Sequence, residues 1–78
     1  MAKTTSDLIM LAGTGANLII DAGTRTTSDL IMIIGVIGRK GSHITLTNCN
    51  KKTTSDLLMI CRVFPNNITL EFNEQPTQ

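Results

Sequence analysis

Lys3-Thr4-Thr5-Ser6-Asp7-Leu8-Ile9-Met10, Arg25-Thr26-Thr27-Ser28-Asp29-Leu30-Ile31-Met32 and Lys52-Thr53-Thr54-Ser55-Asp56-Leu57-Leu58-Met59 are three copies of one phrase: a basic residue, Thr-Thr-Ser-Asp, then an apolar run. Its return after 22 and then 27 residues marks a chain built from one repeated supersecondary unit. In each copy the first Thr stands three residues before Asp, an arrangement like a capping box with Asp in place of Glu or Gln. The hydroxyl can accept from a free backbone N–H, and the carboxylate favours the positive end of the helix dipole. A continuous apolar run alone fits a buried strand as well as a helix; the Thr-x-x-Asp start decides for helix. Helices are therefore expected over residues 5–12, 27–37 and 54–63.

Outward from these helices lie turn residues: Gly13 and Gly15, Gly38 and Gly41, and Pro65-Asn66-Asn67. Short alternating segments follow at 18–21, 42–47 and 68–73, as in strands with one buried face. Leu18, Ile20, Ile44, Leu46, Ile68, Leu70 and Phe72 would face the helices. Ile19, Asp21, His43, Thr45, Thr47, Thr69, Glu71 and Asn73 would face away. Strand, helix, strand in succession implies parallel strands joined by right-handed crossovers, with all helices on one side. The expected fold is α/β: three helix-turn-strand repeats forming a two-layer solenoid with a short parallel sheet. The units are 3–24, 25–51 and 52–73 of a single repeat domain (1–73), followed by a flexible tail at 74–78. Strands repeat at about 4.8 Å and packed helices at roughly 8–10 Å, so the stack should curve with a concave, polar sheet face.

Composition bounds function. Of 78 residues, 41% are apolar and 17% charged. A chain this short buries only about 60% of the surface its unfolded form exposes, which favours support from a partner. A net charge of +1 gives no global field for nucleic acid or an anionic membrane. No run approaches the roughly 20 apolar residues of a transmembrane helix, and the first residues lack the order of a signal peptide. Membrane association is not expected, and a cytoplasmic location is. Cys49 and Cys61 lack Cys-x-x-Cys spacing and are expected to be free thiols.

Two resemblances bear on the expectation. Alternating Ile44 and Leu46, Cys49 three residues on, and a Leu-bearing helix after a polar link resemble a leucine-rich repeat of the cysteine-containing kind, with Gly23 and Asn73 in the place of Cys49. Gly41 stands where that family's first Leu would be. The resemblance implies a solenoid that binds a protein through its strand face. Separately, Val36-Ile37-Gly38-Arg39-Lys40-Gly41-Ser42-His43-Ile44 resembles the Gly-x-x-Gly signature of KH nucleic-acid-binding domains. It implies phosphate contact by Arg39 and Lys40 on a loop between Gly38 and Gly41, although the alternating segment after it reads as strand.

Chemistry finds little footing. His43 is the sole histidine, so neither a metal cluster nor a Ser-His-Asp set has material to build on. Gly13-Thr14-Gly15 precedes a strand, where a dinucleotide fingerprint precedes a helix. Asp7, Asp29 and Asp56 read as caps. Lys3, Arg25 and Lys52 read as their charge balance, with anion binding near the helix starts as the other reading. Met10, Met32 and Met59 read as core or interface filler. No catalytic residue, metal site or cofactor is expected. The function expected is that of a non-enzymatic interaction module, a homo-oligomer joined through uncapped solenoid ends. A protein partner would meet His43, Thr45, Thr47, Thr69 and Glu71. The alternative is a small RNA- or single-stranded-DNA-binding protein using Gly38, Arg39, Lys40 and Gly41.

Overall fold

Each Thr-Thr-Ser-Asp phrase starts a helix. A computed structural model describes residues 3–72 and gives α1 Thr5–Ala12, β1 Leu18–Asp21, α2 Thr27–Lys40, β2 Ile44–Thr47, α3 Thr54–Cys61 and β3 Ile68–Leu70. Thr4, Thr26 and Thr53 are the N-caps, and each hydroxyl accepts from the backbone N–H of the Asp three residues on, at 3.1, 3.2 and 3.1 Å. A cap of this kind contributes about 1 kcal/mol. The same local chemistry thus fixes three helix starts before any packing is considered. The tail expected at 74–78, and Asn73 with it, lies outside the described residues.

The three strands form one parallel sheet in the order β1-β2-β3. Their register aligns Leu18 with Ile44 and Ile68, Ile19 with Thr45 and Thr69, and Ile20 with Leu46 and Leu70. One face is buried: Ile44 and Leu46 are 0% exposed and Ile20 7%. These residues join Leu30, Ile33, Ile34, Ile37, Leu57 and Ile60 of the helices in one core. α2 lies between α1 and α3, and contacts both. Across the sheet, Ile19 is 77% exposed and Thr69 exposed, so that face is open. Among the described residues no helix is long and apolar enough to cross a membrane.

Several expectations need correction. α2 runs to Lys40, three residues past the expected end, because Gly41 closes it: Gly41 adopts φ 71°, its N–H donates to Gly38 O, and the Ser42 N–H donates to Ile37 O, both at 3.1 Å. That pair of bonds is a Schellman closure, which requires a left-handed residue and so favours glycine. α3 ends at Cys61, two residues early. β3 stops at Leu70, although the Glu71 N–H donates to Leu46 O at 2.8 Å and its carbonyl accepts from Cys49 N–H at 3.0 Å. Phe72, expected in the core, is 54% exposed because it lies beyond the last strand pairing. The residue equivalent to Cys49 is Ala22, not Gly23: each is fully buried and opens a 3₁₀ turn, and Asn48 at φ 56° is the extra residue in the second turn.

Candidate functional site

The residues expected to meet a protein partner fall on the open sheet face. The His43 backbone N–H donates to Asn17 Oδ1 at 2.8 Å, and its ring Nε2 lies 2.6 Å from Thr69 Oγ1. Thr45 sits between Ile19 and Thr69 in the register. These four side chains form a shallow patch, half-buried at His43 and Thr45 and exposed at Ile19 and Thr69. Thr47 and Glu71 lie toward the other end of the strands. Thr47 Oγ1 donates to Ile20 O at 3.5 Å, and Glu71 is exposed. The patch has hydroxyl and imidazole groups around one exposed isoleucine.

The residues of the glycine-bounded motif are placed differently. Gly38, Arg39 and Lys40 form the last turn of α2, and only Gly41 lies outside it. Arg39 and Lys40 are exposed beside the helix C-terminus, where cations complement the dipole. A Cβ at Gly38 would overlap the Phe64 ring. Gly38 therefore makes room for an aromatic side chain from the next unit. The Gly-x-x-Gly spacing belongs to a helix end with an aromatic packed on it.

The basic residues of the repeated phrase also have a role the sequence concealed. The Arg25 guanidinium donates to the Lys3 carbonyl, and to Thr5 Oγ1 at 3.0 Å. Lys52 Nζ donates to the Arg25 carbonyl at 2.6 Å. Arg25 and Lys52 thus each reach back one unit to the main chain of their own counterpart, a charge-assisted contact across the junction. Thr5 Oγ1 in turn donates to Asp29 Oδ2 at 3.1 Å. The expected balance against aspartate is replaced by a ladder of carbonyl contacts. Asn67 Nδ2 donates to Ser42 O at 2.7 Å, and with Asn17 it ties adjacent units at the other end of the strands. The signal for Asn17 and Asn67 was their shared place directly before a strand.

Like positions on the helices differ by unit. In the row Leu11, Ile33, Ile60, exposure falls from 44% in α1 to 0% in α2 and α3, the two helices that follow another helix. In the row Ile9, Ile31, Leu58, only Leu58 is exposed, at 52%, on the last helix among the described residues. Two residues correspond to about 200° around a helix. The rows therefore occupy opposite flanks, one turned toward the preceding unit and one toward the next.

At each end a cavity opens between helix and strand. The first, about 380 Å³, is lined by Leu8 and Ile20 with Lys3 and Arg25 among its polar walls. The second, about 250 Å³, is lined by Leu57, Leu58, Cys61, Leu70 and Phe72, with Thr54 at its edge. Leu8 and Leu57 are the same position of the phrase, and Ile20 and Leu70 share a register row.

Cys49 and Cys61 are free thiols. Cys49 is fully buried and its Sγ donates to Leu46 O at 3.1 Å. Burial pushes its pKa up against the Glu71 backbone hydrogen bond, and the neighbouring Cys61 and Glu71 add to the rise. Among the described residues no group of three or more His, Cys, Asp or Glu side chains could hold a metal ion. Comparison with models of known protein families, with curated proteins and with solved structures found no match.

Proposed function

We propose that this chain is a non-enzymatic interaction module: a short solenoid that self-associates through the open ends of its stack and offers its polar sheet face to a protein partner. The observation that carries this reading is the contrast along the helix rows. Leu11 at 44% and Leu58 at 52% exposed occupy positions that are buried (Ile33, Ile60) or half-buried (Ile9, Ile31) wherever a neighbouring unit is present. Apolar positions left bare at a junction surface, beside strands that among the described residues pair on one side only, favour association with a complementary surface. Burying them removes apolar area from water at roughly 25 cal/mol per Å².

A small chain gains much from this, since its own core supplies limited stability. The sheet face with His43, Thr45 and Thr69 stays open when the ends are covered, so it can serve a partner at the same time. We place the module in a reducing compartment such as the cytoplasm, where Cys49 and Cys61 persist as thiols. Light scattering coupled to size exclusion at micromolar concentration should report a mass above that of one chain, rising with concentration. A strict monomer across that range would remove the reading.

A further inference from the structure

The two ends of the stack complement each other, and we infer that copies join head to tail, with α1 and β1 of one chain taking the place of a fourth unit on α3 and β3 of another. The inference rests on the reading that the chain self-associates, and adds to it a direction, a register and a set of contacts.

Three independent features point the same way. First, the bare helix flanks are of opposite kind: Leu11 belongs to the row turned toward a preceding unit, Leu58 to the row turned toward a following one. A Leu11 flank meeting a Leu58 flank repeats the α1–α2 and α2–α3 packing. Two Leu11 flanks, or two Leu58 flanks, repeat neither. Second, the ladder of basic residues runs in one direction. Arg25 reaches the Lys3 carbonyl and Lys52 reaches the Arg25 carbonyl, so among the described residues the series stops with the Lys52 carbonyl at one end and the exposed Lys3 side chain at the other. Lys3 of an incoming chain would donate to Lys52 O as Lys52 donates to Arg25 O. Likewise Asp7 would accept from Thr54 Oγ1 as Asp29 accepts from Thr5. Third, β1 and β3 are the two edges of an all-parallel sheet in constant register. Setting Leu18 of the next chain beside Ile68 continues that register, and Leu8 and Ile20 then close the cavity lined by Leu57 and Leu70.

A heterologous contact of this kind makes a ring or an open filament, whereas a two-fold contact makes a closed dimer. The experiment uses two variants at exposed positions, Leu11→Glu on the first flank and Leu58→Glu on the last. Folding of each is checked by circular dichroism. Alone, each should be a monomer at concentrations where the unmodified chain is larger. Mixed in equal amounts, they should form a species of twice the chain mass and nothing larger, because each keeps the end that the other has lost. If either variant dimerises alone, or the mixture stays monomeric, the head-to-tail arrangement is overturned while self-association stands; if the unmodified chain is a monomer, both readings fall.

A second measurement serves should a glutamate variant unfold. In chains carrying Cys61→Ser, Ile19→Cys is placed in one preparation and Thr69→Cys in another, both at exposed sites of the open face. Strand spacing of about 4.8 Å brings these positions within reach of a short bismaleimide only across a β3–β1 junction between copies. Cross-linked dimer in the mixture, with little in either preparation alone, is the expected result. Cross-linking within a single preparation, or none in the mixture, overturns the arrangement.

Discussion

The middle unit and the two outer units begin from the same phrase and end in different environments. Leu30, Ile33, Ile34 and Ile37 of α2 are all 0% exposed, whereas α1 leaves Leu11 and α3 leaves Leu58 about half bare. The apolar runs differ little, and the caps are the same to within 0.1 Å. What differs is the number of neighbours, two for α2 and one for each outer helix. For the two flanking rows, burial follows the presence of a neighbouring helix; Leu8, Leu30 and Leu57 are buried in every unit, and Met10, Met32 and Met59 are exposed in every unit. The outer units carry a core's chemistry on a surface, and that is the physical basis of the proposed association.

The sharpest way to break the contrast is to truncate one row in two places. Ile33→Ala opens a cavity in a fully buried site and should cost about 2–5 kcal/mol in urea unfolding. Leu11→Ala, at the equivalent position, should cost only about 0.5 kcal/mol in dilute monomer, as surface changes do, with a larger loss appearing as concentration rises. Equal losses in dilute solution would show that the two positions do not differ in the way described.

A second pair sharpens the contrast within α2 itself. Gly38→Ala must displace the Phe64 ring and should destabilise by about 1–3 kcal/mol, as overpacking does, in spite of alanine's better helix propensity. Gly35→Ala meets only Arg39 Nη1 at 3.5 Å and should instead stabilise by up to about 1 kcal/mol. Thermal unfolding of the two variants reads the opposite signs; stabilisation by Gly38→Ala would mean that Phe64 does not rest on the helix.

The smallest effect separates the two inter-unit junctions. At the first, the buried turn position is Ala22; at the second it is Cys49, whose thiol is pushed up by burial. The folded state holds this proton more tightly than the unfolded chain, so its contribution is intact below the ordinary thiol range, near about pH 8.5. It fades as pH climbs through that range toward the raised value. Urea unfolding between neutral and alkaline pH should show a decline that Cys49→Ala reduces. Amide exchange of Glu71, which bonds Leu46 across the second junction, should accelerate before that of Leu18 at the first.

Much of this fold was legible in the repeated phrase because capping is local. Thr4, Thr26 and Thr53 satisfy backbone donors three residues away, a distance a sequence displays directly. Strand alternation displayed which residues share a face, parallel order followed from the strand-helix-strand succession, and the shared hand of the crossovers put the helices on one side. The end of α2 was misread because Gly38 looked like a loop residue. Its reason is the Phe64 ring, 26 positions on, and such contacts leave no mark on local pattern. The turn equivalence of Ala22 and Cys49 was hidden by the inserted Asn48, which shifts the alignment by one. Phe72 followed the alternation yet lies outside the core, since a period marks a face and does not say whether anything covers it.

The candidate surfaces divide along the same line. His43, Thr45 and Thr69 could be placed on the open face by counting residues. The basic ladder could not: Lys3, Arg25 and Lys52 were visible as a row, but the partners of Arg25 and Lys52 are carbonyls one unit back, and only folding brings those within 3 Å. The sequence alone settled where helices begin and which strand residues share a face, because each depends on groups a few residues apart. Tertiary structure alone decided which copies of one apolar position are sealed and which stand bare, because that depends on whether a helix packs on each side: α2 lies between α1 and α3, whereas among the described residues α1 and α3 each pack mainly on α2.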